Sequence, residues 1–545
     1  MRIAGALFLS VFAAIAACAR PFDEALGETP PAVAAADAGA EASTSVDAGE
    51  RKKSVCPGGY SGLCEKIAMP LDWNNPSGKK IEILVDTISS TPRPKAQLWL
   101  LQGGPGGTAA DMVGMANMFA DQLDDFEFFT IEHRGVGASS RIGCPVEEAK
   151  GAAMSRPACA EEVKKLFGED LRHYNTTNAA KDLAKAIELN RRDGVKTYVY
   201  GVSYGTSWAE RLMQVAPTAA DAIILDSLVV PGQQFLSQFD PQGDVVAQKL
   251  AEMCKNEADC NAVLGPDPWA KIVATKEKVV NEGHCAALGL QPNDRMEITQ
   301  LLRLHLTMGY ALAVWARIAR CSDDDVAALK RMRERLKSVF TGPNERLNSD
   351  FLGINIMTSE MFEEPFPSEA TMKKRFDDTV FPAGIALDYA ILAGWPRYAQ
   401  DEFVGKLPVP KIPVLVLAGT LDTQTPIEIQ EKAKAHYSAP GSTFVTVPNA
   451  NHAVVNQSPM FASPNLPPPQ CGTKIAKQFL TAPGSALDTS CTAQVLAPSF
   501  ARPTEEVQYL LGTSSMWTAA PVLAPAEGFE WRLPVPRITS HLLSL

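Results

Sequence analysis

Three residues at three separate places in the chain have the types that nucleophilic catalysis needs. Gly201-Val202-Ser203-Tyr204-Gly205 is a Gly-x-Ser-x-Gly run between an apolar stretch, residues 197–200, and a helical pattern. A serine on such a strand-to-helix turn exposes its hydroxyl, and the glycines stand where a Cβ would clash. Asp422 lies just beyond an apolar stretch, and His452 repeats that placement further on. The chemistry implied is shared work: Ser203 attacks, His452 takes and returns its proton, and Asp422 orients and stabilises the imidazolium. Two rivals compete for these places, His133 as the base and Asp226 as the acid. The run Gln102-Gly103-Gly104-Pro105-Gly106-Gly107 follows the stretch that ends at Leu101. Its backbone N–H groups could face a developing oxyanion, where one donor lowers the barrier by a few kcal/mol. Pro105 has no N–H, so Gly104 or Gly106 would donate, with Tyr204 N–H as the second donor.

Residues 81–88, 97–101, 126–131, 197–200, 222–225, 413–418 and 443–447 are short and continuously apolar, which predicts buried strands. Helical patterns intervene at 178–190 and 207–215. Alternation of this kind predicts an α/β fold with a mainly parallel sheet. It stops after Pro231 and resumes near Lys411, with helical patterns at 244–261, 268–281, 296–319 and 325–340 between. The expected organisation is a core in two parts, residues 55–231 and 411–492, with a helical lid, 232–410, inserted over the carboxyl edge of the sheet. An independent second domain is the alternative. Residues 493–545 form a tail with no assigned role.

The 545 residues carry 51 basic and 62 acidic side chains, a net charge of −11, which argues against nucleic acid as the main partner. A 46% hydrophobic, 21% charged composition excludes bulk disorder. Beyond the N-terminus there is no apolar run long enough to span a bilayer. Residues 1–17 read as a signal peptide, and Cys18 directly after two alanines resembles the acylated cysteine of bacterial lipoproteins. Plain secretion is the alternative. Residues 18–54, rich in alanine, acids and proline, read as a disordered tether. Export with a lipid anchor, at the outer membrane or cell surface, is the expected location. Of 11 cysteines, lipidation of Cys18 leaves ten, an even set for disulfides in an oxidising compartment. Close spacing suggests Cys56 with Cys64, Cys144 with Cys159, Cys254 with Cys260, Cys285 with Cys321 and Cys471 with Cys491, although spacing alone leaves the connectivity open. Seven histidines without HExxH or paired CxxC give little basis for a metal site, and the chemistry needs no cofactor.

Together these motifs resemble the α/β-hydrolase serine peptidases that include prolyl aminopeptidases and secreted tripeptidyl aminopeptidases. The resemblance runs through Met69-Pro70-Leu71-Asp72-Trp73, Gly103–Gly107, His133-Arg134-Gly135-Val136-Gly137, Gly201–Thr206, Leu421-Asp422 with Thr425-Pro426, and Asn451-His452. It closes with Cys471 and Cys491 around a short helix, similar to the tripeptidyl-aminopeptidase-like (TAP-like) C-terminal segment. Gln102 stands where prolyl aminopeptidases carry His, and Asn451 where the family usually has Gly. The resemblance implies an α/β-hydrolase fold and removal of residues from peptides with a free N-terminus through an acyl-enzyme. An exopeptidase must hold an ammonium group, which calls for an opposite charge; Glu360, Glu363 and Glu364 in the lid are the candidates. An esterase or amidase of the same fold is the alternative function, and a binding lipoprotein on a disused hydrolase fold is a third.

Overall fold

The computed structural model of the chain describes residues 53–340, 344–461 and 468–518. The expected signal peptide, Cys18 and nearly all of the tether lie outside the described residues. Among the described residues nine strands form one sheet: β1 (Ser54–Val55), β2 (Leu63–Pro70), β3 (Lys80–Ser89), β4 (Ala96–Leu101), β5 (Phe126–Ile131), β6 (Lys196–Val202), β7 (Ala222–Asp226), β8 (Val414–Gly419) and β9 (Ser442–Val447). Their order is β1-β2-β3-β5-β4-β6-β7-β8-β9. β1, β2 and β3 pair antiparallel, and every pairing from β5 through β4 to β9 is parallel. The apolar runs explain this: β4, β5, β7 and β8 are buried along their whole length, as strands covered on both faces must be. β2, absent from the sequence reading, alternates buried Ile67 and Met69 with exposed Lys66 and Ala68 because it lies toward the antiparallel edge.

Helices α1 (Thr176–Asn190) and α2 (Tyr204–Val215) pack against the sheet and each other. Between β7 and β8 come α3 (Gln242–Cys254), α4 (Ala258–Leu264), α5 (Pro268–Glu282), α6 (Met308–Arg320), α7 (Asp323–Phe340), α8 (Asp350–Glu360) and α9 (Glu369–Asp378). Most of the insertion has its own core, around Leu250, Leu302, Leu312 and Trp315. Helix α8 instead shares a cluster with the sheet through Phe351, Leu352 and Met357. Two patterns taken as single helices are each broken. The 244–261 pattern divides into α3 and α4, whose Cys254 and Cys260 are linked. The 296–319 pattern breaks before α6, where Thr307 Oγ1 donates to the Leu301 carbonyl (2.7 Å) and His305 N–H donates to Gln457 Oε1 (2.8 Å). A side-chain acceptor has taken the amide that a continuous helix would use.

After β9, helix α10 (Cys471–Thr481) covers the other face of the sheet. The tail is not idle: α11 (Thr504–Leu511) and Trp517 enter the core of the insertion. Buried Arg317 of α6 donates to the Met516 (3.0 Å) and Ser515 (2.8 Å) carbonyls and pairs with Asp325 (3.1 Å). Five disulfides each join sequence neighbours: Cys56–Cys64, Cys144–Cys159, Cys254–Cys260, Cys285–Cys321 and Cys471–Cys491. Among the described residues no helix is long and apolar enough to cross a membrane.

Candidate active site

Ser203 sits between β6 and α2 at φ 57°, ψ −128°. This conformation is strained for a residue with a Cβ and persists only where the surroundings over-determine it. The flanking glycines show what does so. A Cβ at Gly201 would run into the Gly205 carbonyl, and one at Gly205 would come within 2.5 Å of the Leu101 carbonyl oxygen. Ser203 N–H donates to the Asp226 carbonyl oxygen (3.0 Å), which ties the turn to the end of β7.

The loop after β8 brings Asp422 to the ring of His452. Nδ1 of His452 lies 2.9 and 3.0 Å from the two carboxylate oxygens, both groups being buried. Asp422 also accepts from Gln424 N–H (2.9 Å), Thr425 N–H (2.8 Å) and Thr425 Oγ1–H (2.7 Å). Burial opposes its ionisation, yet the neighbouring His452 and these donors hold the carboxyl below its ordinary value. Asp422 is therefore an anion at neutral pH, placed to fix the tautomer that leaves His452 Nε2 to act as a base. Thr425 as a support of Asp422 had no signal in the sequence beyond its place in a motif.

The rivals have other partners. Asp226 takes the amides of Val454 (2.7 Å) and Val455 (3.0 Å) and the Tyr200 hydroxyl (2.7 Å), and burial pushes its pKa to about 6. With Ser227 Oγ accepting from Ala453 N–H (2.8 Å), it props the loop that follows His452. Ser227 and Ala453 both have positive φ, 59° and 63°. His133 packs edge-on against Trp208, with Nδ1 2.8 Å from the Arg134 carbonyl and Nε2 3.2 Å from the Tyr204 hydroxyl. Burial drops its pKa to about 3, too low for a base that must cycle its proton near neutral pH.

The glycine loop lies against the serine: a Cβ on Gly103 would be 2.8 Å from that of Ser203. Gly103 N–H is committed to Gln102 Oε1 (2.8 Å) and Gly107 N–H to the Gly103 carbonyl (3.2 Å). Gly104 and Gly106, at φ 117° and 99°, remain as the loop's donors. Tyr204, as the first residue of α2, has an N–H with no helical carbonyl to bind. Behind the loop, buried Glu132 accepts from Thr108 Oγ1–H (2.5 Å) and Ala109 N–H (3.0 Å), and also from the Tyr60 hydroxyl.

The three glutamates have different surroundings. Glu360 is partly buried at the end of α8, accepting from Tyr398 O–H (2.7 Å), Thr176 N–H (3.1 Å) and Arg211 (3.3 Å). It lines an open pocket with Tyr204, Glu210 and Arg211. Glu363 is bound by Arg375 (2.6 Å), Gln238 (2.6 Å) and Ser237 (2.9 Å). Glu364 is exposed and 3.3 Å from Arg397.

Residues 98–253 match the family described as alpha/beta hydrolase fold, and residues 380–491 the family described as TAP-like protein. The tripeptidyl aminopeptidase of Streptomyces lividans is 30% identical over 194 residues, 31% of this chain and 36% of that one. The serine protease Hip1 of Mycobacterium tuberculosis is 29% identical over 254 residues, 41% of this chain and 46% of that one. Carboxylesterase B of Mycobacterium tuberculosis is 34% identical over 80 residues, 14% of this chain and 15% of that one. The chain thus spans less than half the length of each of these relatives. The parallel sheet, the serine turn after β6 and the match over residues 98–253 give the chain an α/β-hydrolase fold, and residues 380–491 are similar to TAP-like protein.

Proposed function

We propose that the chain is a serine exopeptidase that removes N-terminal residues from peptides, of the prolyl or tripeptidyl aminopeptidase type. The observation that carries the reading is the buried Asp422–His452 pair on a loop that Asp226 ties to the strained serine turn, in a chain similar to a tripeptidyl aminopeptidase and a serine protease. Ser203 Oγ attacks the scissile carbonyl while His452 Nε2 takes its proton. The oxyanion that forms faces Tyr204 N–H and Gly104 or Gly106 N–H. His452 returns the proton to the leaving amine, and water then releases the acyl group by the same steps in reverse.

Of the three glutamates, Glu360 is the candidate for the substrate ammonium, since it shares a cavity with the residue next to the nucleophile. Arg375 engages both oxygens of Glu363 (2.6 and 3.2 Å) and Glu364 faces solvent, whereas the guanidinium on Glu360, that of Arg211, stands at 3.3 Å. The helical insertion, residues 232–410 in this reading, is a lid over the site, and export with a lipid on Cys18 places the enzyme outside the cytoplasm. The likeness to carboxylesterase B supports ester hydrolysis as a second reading.

A panel of prolyl, alanyl, leucyl and tripeptidyl amides, their N-acetylated forms and short acyl esters separates these readings, each assayed beside Ser203→Ala. Serine-dependent cleavage of free-amine peptides alone is the expected result. Turnover of esters alone would replace it with the second reading. Glu360→Gln is expected to lose activity on free-amine substrates and to leave any residual cleavage of blocked ones unchanged; equal loss on both would remove Glu360 from amine binding.

A further inference from the structure

The break before α6 falls where the insertion meets both catalytic loops. Asn451 Nδ2 donates to the Leu302 carbonyl (2.8 Å) and Gln457 Nε2 to the Arg303 carbonyl (3.1 Å). His305 N–H donates to Gln457 Oε1 (2.8 Å), and Arg303 Nη1 to Gln424 Oε1 (3.1 Å). Asn451 and Gln457 also hold His452. Asn451 Oδ1 accepts from His452 N–H (2.7 Å), and Gln457 Nε2 also donates to the His452 carbonyl (2.8 Å). Gln424, for its part, gives its N–H to Asp422 Oδ1 (2.9 Å). Asn451, Gln457 and Gln424 are all buried, so water does not compete for these bonds.

Resting on the serine-hydrolase reading above, we propose that Asn451 and Gln457 are positioning residues through which the helical insertion sets the backbone of His452, so that turnover requires residues 302–305 to be docked. The physical need is clear at the next residue. Ala453 has φ 63°, a conformation that neighbours must impose, and a base displaced by even an ångström loses the geometry that proton transfer needs. Asn451 at this place suits the role: glycine could not reach both the His452 amide and the insertion.

The test compares the full chain with Asn451→Asp and Gln457→Glu. Each variant keeps an acceptor, for His452 N–H or His305 N–H, and loses a donor: Asn451→Asp the one to the Leu302 carbonyl, Gln457→Glu the one shared by the Arg303 and His452 carbonyls. The expected result is a fall in kcat of roughly 10–100-fold on the best substrate, with KM within about twofold and an altered acid limb in the pH profile of kcat. Circular dichroism and the thermal midpoint report folding. Should either variant fail to fold, Arg303→Gln alters the insertion alone and is expected to reduce kcat in the same sense. An active wild type whose folded variants keep kcat and pH profile overturns the proposal while the Ser203→Ala control upholds the enzyme reading. A folded wild type inert toward the whole panel overturns both.

Discussion

Two buried aspartates stand within reach of the loop that carries His452, and what their oxygens accept separates their roles. Asp422 faces the imidazole; Asp226 is filled by two amides and a tyrosine hydroxyl. Replacing the first with Asn should therefore remove the ion that fixes the tautomer, at a cost to kcat of about 10³–10⁴-fold. Asp226→Asn should chiefly cost stability, about 1–3 kcal/mol from mismatched buried donors. Equal kinetic loss in the two, with both folded, would contradict this division. Thr425→Val should lower kcat and Thr425→Ser restore most of it, because the hydroxyl on Asp422 Oδ2 is the group that matters. The residues of the candidate site were legible in the sequence because Ser203, Asp422 and His452 each follow a strand, and glycines mark the turn. Their partners were not. Whether Asp226 or Asp422 meets the histidine depends on loop paths, and Thr425, Asn451 and Gln457 act through contacts that no local pattern encodes.

At the scale of elements, continuous apolar runs gave away the buried strands, whereas β2 escaped because its alternation mixes charged residues with apolar ones. Helix periodicity found most of the insertion but ran through residues 304–307, since the diversion of an amide to Gln457 is a tertiary event. The tail carried no recognisable motif, yet it supplies Phe500, Val507 and Trp517 to the core of the insertion. Trp517 is 1% exposed, and its indole N–H donates to the Phe500 carbonyl (2.7 Å). Trp517→Ala is expected to cost about 3–5 kcal/mol, read as a lower denaturation midpoint. If residues 302–305 lose their docking as the insertion loosens, the same variant should lose activity at temperatures where the sheet remains folded. Wild-type stability in Trp517→Ala would show that the tail does not brace the insertion.

For the molecule as a whole, among the described residues, loss of solvent raises the pKa of Asp226 and Asp244 to about 6, of Glu132 to about 7 and of Glu210 to about 8, and raises those of Asp86, Asp182 and Asp240 as well. In the unfolded chain such groups ionise near pH 4. Each contributes stability that is fully present below that value and is lost as pH rises through its folded pKa. Asp422, held low, works in the opposite sense: its contribution is present above the unfolded pKa and is lost as pH falls through its folded value. The thermal midpoint is thus expected to decline between about pH 5 and about pH 8. Glu210→Gln should flatten the upper part of that decline, which calorimetry across the range would show. A midpoint that climbs over the same interval would contradict these carboxyl environments.

The most direct test of the account is covalent. A fluorophosphonate, which reacts with an activated serine, should label the folded protein once, on the peptide that carries Ser203, as read by mass spectrometry. The same reagent should leave His452→Gln and Asp422→Ala essentially unlabelled at matched times, with their folding confirmed. Absence of label on folded wild-type protein, or label on any other residue, would contradict the assignment of Ser203, His452 and Asp422 as one catalytic unit.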